Sequence, residues 1–135
     1  MKRHQTFCKK RRAGFLRHEN PDVEAMRHLA CAQLVVGNIG LAYRVPVLAI
    51  MGSKKGRQKV SDARQLSQYL CHIIFSQTLS NIGIIFRRDR TSVSYACQRV
   101  EFLRDEATHD LAIDYLELGV KSLAGSLGLT QSEDR

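Results

Sequence analysis

An acid, a guanidinium and two hydroxyls stand side by side at Asp89, Arg90, Thr91 and Ser92, just behind the basic pair Arg87-Arg88. Such a set suits recognition of base edges rather than bond-making. A carboxylate accepts from a cytosine amino group, a guanidinium donates twice to guanine, and a threonine methyl lies against the methyl of thymine. Asp89 has a second possible use, as the N-cap of its own helix. Arg87 and Arg88 fall where cations would grip phosphate; Arg88 could instead pair with Asp89, where a surface ion pair contributes little.

These residues need elements to present them. Before them, Leu79, Ile82, Ile85 and Phe86 repeat at helical spacing; after them, Val93, Ala96, Cys97 and Val100 do the same. The spacing predicts a short apolar helix, a tight basic turn and a second helix whose first turn carries the polar set. A helix-turn-helix offers side chains to the DNA major groove in this way.

On Ile82-Gly83, Phe86, Arg88-Asp89-Arg90-Thr91-Ser92-Val93 and Ala96-Cys97 the chain resembles the C-terminal DNA-binding domain of the bacterial replication initiator DnaA. That family's signature has an Ile-Gly pair and a Phe, then Gly-Gly-Arg-Asp-His-Thr-Thr-Val, with Ala-Cys a few residues on. The likeness continues upstream through SKKGRQKVSDARQLSQYL and spans about residues 29–123. It implies an all-α multi-helix bundle of the Trp-repressor-like type, double-stranded DNA as partner, and a DNA-holding role for Arg64. Two departures stand out. Both glycines of the turn are missing and one residue is deleted, so the turn is expected to do without glycine's positive φ. Arg90 replaces the family's His and Ser92 its second Thr, which predicts a guanine preference at Arg90.

The rest of the chain agrees. Its 135 residues suffice for one domain, and 21 Lys and Arg against 13 acids give a net charge of +8. That excess favours a polyanion. The loop GSKKGRQK brings Lys54, Lys55, Arg57 and Lys59, expected to contact phosphates without reading sequence. It lacks the Gly-Lys-Ser/Thr of a nucleotide-binding loop, so no nucleotide and no ATP-driven step is expected. Cys8, Cys31, Cys71 and Cys97 lie far apart, which reads as free thiols and neither a metal site nor a disulfide framework. No apolar run is long enough to span a membrane. With no convergent catalytic cluster, no enzyme and no cofactor is expected.

The expected organisation is a basic arm over residues 1–19, a helix-turn-helix domain over 20–124 and a disordered tail over 125–135. Asn20-Pro21-Asp22 signals a helix running to about Tyr43, burying Val23, Met26, Leu29 or Ala30, Leu34, Val36 and Ile39, with Gly37 and Gly40 either weakening its end or admitting a close neighbour. Residues 47–51 read as an apolar plug. Ser61 or Asp62 should start the next helix, with Val60, Ala63, Leu66, Leu70, Ile73 and Ile74 inward. A last helix from Thr108 or Asp110 should bury Leu111, Tyr115, Leu118 and Val120 or Leu123. The functional expectation is sequence-specific duplex binding by a cytoplasmic, nucleoid-associated regulator of replication initiation or transcription. The alternative is a helical adaptor that has lost DNA.

Overall fold

The computed structural model describes residues 21–130. The arm, the Asn20 cap and the end of the tail lie outside the described residues. Within them the chain forms six helices: α1 (Pro21–Tyr43), α2 (Val47–Ile50), α3 (Gln58–Phe75), α4 (Leu79–Phe86), α5 (Arg90–Leu103) and α6 (Ala107–Ser126). The all-α expectation holds.

α3 is the hub. α1, α2, α4, α5 and α6 all pack against it, and residues from Ala63 to Cys71 are buried almost without interruption. A helix enclosed on nearly every side needs small or apolar residues all round, and polar ones must find partners. Ser67 donates to Ala63 O at 2.8 Å. The Tyr69 hydroxyl donates to Glu101 Oε1 at 2.6 Å. Around α3 the core is filled by Val35, Val36 and Ile39 of α1, Ile50, Ile82, Phe86, Val93 and Val120, all fully buried.

α1 is amphipathic over its second half only. Its buried stripe is Cys31, Ala32, Val35, Val36 and Ile39, whereas Met26 and Leu29, expected inside, are 67% and 42% exposed. The first turns of α1 are held by polar contacts instead: Arg27 donates to Leu129 O at 3.4 Å, and His28 O accepts from Gln77 Nε2 at 3.0 Å. Gly40 is needed for close approach: a Cβ would stand 2.9 Å from Val45 O, where the chain doubles back. Gly37 has open space around it. In α2 only Ile50 plugs the core; Leu48 is 86% exposed.

α3 begins at Gln58, ahead of the Ser61 or Asp62 start. Asp62 is occupied otherwise, accepting from Gln58 Nε2 at 2.8 Å and from Arg99 Nη2 at 3.3 Å. Lys59 therefore lies in the first turn of a helix and not in the loop.

The register of α6 also differs. Ile113, Val120 and Ala124 face inward, while Leu111, Tyr115 and Leu118 are more than half exposed. Both stripes have helical spacing, and the smaller residues win because α1 comes close along that side. Arg104 fastens α6 to the bundle. It donates to Asp110 at 2.7 Å and Glu117 at 3.4 Å, and also to Asp114, while reaching the Tyr69 hydroxyl at 3.4 Å. α6 continues through Ser126, so the boundary at residue 124 falls inside a helix.

Candidate nucleic-acid interface

The turn between α4 and α5 is built on backbone contacts. Thr78 caps α4, its hydroxyl accepting from Asn81 N at 3.1 Å. α4 ends when Arg87 enters the left-handed region at φ 55, and Arg88 N then returns to Gly83 O at 2.8 Å. The turn does without glycine, as expected, but not without a positive φ. With both glycines gone, an arginine takes the conformation at a cost of about 1–2 kcal/mol. The return path also runs over Gly83, where a Cβ would meet Arg88 O at 2.6 Å.

Asp89 is extended, and its Oδ1 accepts from Ser92 N at 2.7 Å. It is the N-cap, and α5 starts at Arg90. That N–H bond holds the Asp89 carboxyl below its usual range, so the group stays charged. One carboxylate oxygen is committed to the cap, which leaves the other for a partner. Asp89, Arg90, Thr91 and Ser92 are all exposed. The buried stripe of α5 is Val93, Ala96 and Val100. At 100° per residue the opposite face carries Thr91, Tyr95, Gln98 and Phe102. Tyr95, 61% exposed, extends the outward face one turn beyond the four expected residues. The signal for it in the sequence is the four-residue step from Thr91 to Tyr95.

The basic loop lies alongside. Lys54, Lys55 and Arg57 are exposed in it, and Lys59 is exposed in the first turn of α3. That turn has no acid and no side-chain cap, so its free N–H groups and the nearby cations add to one positive field.

Arg64 does not share the exposure of these cations. It is 4% exposed, and its guanidinium is spent on backbone carbonyls of α2 and of the loop that follows it. Nε donates to Ile50 O at 2.8 Å, Nη2 to Ala49 O and Lys54 O at 2.9 Å each, and Nη1 to Lys55 O at 3.1 Å. Burial, with Arg88 as a second contribution, lowers its pKa from the ordinary arginine value, though an arginine remains protonated. In this structure Arg64 is a clamp shaping the loop, and the DNA-holding role implied for it would act through the loop that it shapes. Arg88 reinforces the clamp, because its Nη2 donates to Gly52 O at 3.1 Å and it does not pair with Asp89. Turn and loop are therefore tied together, and Arg87 stands exposed beside them.

Among the described residues, no group of three or more His, Cys, Asp or Glu could hold a metal, and no helix is long and apolar enough to cross a membrane. Cys31, Cys71 and Cys97 are free, and burial raises each thiol's pKa, which makes them poor nucleophiles.

Comparison with known proteins agrees with this geometry. The chain is similar to a protein whose crystal structure is described as that of a DNA replication initiation factor, with a TM-score of 0.71 at 22% identity over 88% of this chain. This chain corresponds to 37% of that protein's length. The family model for the bacterial DnaA protein helix-turn-helix matches residues 33–100, from within α1 to the end of α5's buried stripe. The chain belongs to the bacterial DnaA helix-turn-helix family.

Proposed function

We propose that this chain binds double-stranded DNA sequence-selectively, with the first turn of α5 in the major groove, and regulates replication initiation or transcription without hydrolysing ATP. The observation that carries it is the solvent-facing first turn of α5, with Lys55 and Arg88 beside it and the exposed basic loop of Lys54, Lys55 and Arg57, followed by Lys59, tied to that turn through Arg88. The cations supply salt-sensitive affinity and hold register. Arg90 takes guanine, the free oxygen of Asp89 takes a cytosine amino group, and Thr91 and Ser92 contact a thymine methyl or a phosphate. Such a protein works with the nucleoid, in the cytoplasm.

Gel-shift titration against random duplex at two salt concentrations, followed by selection of sites from a random pool, tests the reading. Affinity should fall steeply with salt, losing about 0.9 in the log–log slope for each phosphate neutralised. Arg90→His should shift the selected sites away from guanine at one position. The exposed stripe Leu111, Tyr115 and Leu118 on α6 favours a second reading, a helical adaptor that contacts protein. Absence of duplex binding at low salt would establish that reading over the first.

A further inference from the structure

We propose that the cleft between α3 and α5 is a phosphate subsite built largely from neutral donors, the buried amide of Gln68 and the hydroxyl of Tyr95. It grips one phosphodiester of the bound duplex. This rests on the DNA-binding reading above and adds a contact that neither the charge pattern nor the helix-turn-helix spacing indicates.

The cleft is open to solvent, with a volume of about 510 Å³. Its two walls are polar stripes at helical spacing: Ser61, Gln65 and Gln68 on α3 face Thr91, Ser92 and Tyr95 on α5. Polar side chains on the hub helix normally have partners, as Arg64, Ser67 and Tyr69 do. Gln68 and Ser61 are 3% and 8% exposed, with no side-chain hydrogen bond among the described residues. Both line this cleft. Neither is sealed from solvent, since the fully enclosed unpaired side-chain atom found among the described residues is Gln77 Oε1. The Gln68 amide thus reaches out through the cleft and nowhere else. The rest of the side chain is buried, so the amide presents its donors at the floor of the cleft with no protein partner among the described residues, free for whatever enters.

The sign of the occupant follows from the surrounding charges. Lys55, Arg64 and Arg88 line the cleft against one acid, Asp89, and that carboxylate already accepts from Ser92 N. The field favours an anion. A duplex backbone is a continuous anion that fits an open trough, and it must pass this side of α5 once the first turn is in the groove. Gln68 and Tyr95 can each donate to a phosphate oxygen, with Ser61 and Gln65 within the same wall.

Two variants of the full chain separate this role from others. Tyr95→Phe removes one hydroxyl, and Gln68→Leu replaces the amide by an apolar group of similar size. Each should weaken duplex binding by roughly three- to tenfold, as loss of one solvent-accessible hydrogen bond does. The loss should be equal on the selected site and on random duplex. The salt slope should not change, because no cation is removed, whereas Lys55→Gln should reduce it by about 0.9. The thermal midpoint of Gln68→Leu should stay level or rise.

Affinities of both variants matching the parent's would overturn the subsite. So would a loss confined to the selected site, which makes Tyr95 a base reader, or a lower midpoint for Gln68→Leu, which makes the amide structural. If the parent binds no duplex at low salt, the DNA reading itself is overturned; if the parent binds and the variants match it, the subsite alone fails.

Discussion

Gly83→Ala should damage this protein even though alanine is the better helix former. In an open helix position the exchange gains about 0.8–1.0 kcal/mol. At Gly83 the new Cβ would stand 2.6 Å from Arg88 O, and ordinary contact begins at 3.4 Å, so the two must separate by 3.4 − 2.6 = 0.8 Å. The obstacle is backbone, and it cannot swing aside like a side chain. Arg88 N is also bonded to Gly83 O at 2.8 Å, so the displacement stretches the bond that closes the turn. Forcing an extra carbon into such a contact costs about 1–3 kcal/mol or more. Set against the gain, the net expectation is a loss of up to about 2 kcal/mol, or up to roughly 9 °C in thermal midpoint for a domain of this size. Gly119→Ala is the control: it lies inside α6 with nothing within 4 Å of a Cβ, and should gain up to about 1 kcal/mol. Circular dichroism melts of the parent and both variants read the two shifts, and gel shifts should show weaker DNA binding for Gly83→Ala because Asp89 to Ser92 are displaced with the turn. A Gly83→Ala midpoint at or above the parent's would refute the close-approach argument.

Three further outcomes are expected. Arg64→Gln strands carbonyls of Ala49, Ile50, Lys54 and Lys55, and should lower stability by about 2–4 kcal/mol in chemical denaturation; Arg64→Lys should not restore it, since one ammonium cannot reproduce the guanidinium fork. Asp89→Asn keeps a capping oxygen for Ser92 N and should melt like the parent at neutral pH while changing the selected sites; Asp89→Ala should lose both. Because the folded Asp89 pKa is depressed, its charged cap contributes above the unfolded value of about 4 and is lost as pH falls through the folded one, so the parent's acid-side decline should be shallower in Asp89→Asn. Tyr69, buried and hydrogen-bonded to Glu101, is pushed up to about 12. The folded state therefore keeps a proton that the unfolded chain releases near pH ~10, and stability should fall as pH rises from there toward about 12; melting points across that range should show a smaller fall in Tyr69→Phe.

Much of the recognition unit was legible in the sequence. The spacing of Leu79, Ile82 and Phe86, then of Val93, Ala96 and Val100, fixes two helices and the turn between them. Such local periodicity depends on the chain's own geometry and not on its neighbours. The charge of the 54–59 segment was equally plain, because exposure follows from polarity when no partner is present. Other features were decided by the tertiary structure. Leu111, Tyr115 and Leu118 make as good a helical stripe as Ile113, Val120 and Ala124, and the approach of α1 selects the second. Arg64 reads as one more cation until α3 places it beneath the loop, where four carbonyls take its donors and its charge turns inward. Sequence periodicity settles which residues share a face of a helix. Which face is covered, and whether a long cationic side chain reaches water or backbone, depends on residues distant in the chain and is settled only when they pack.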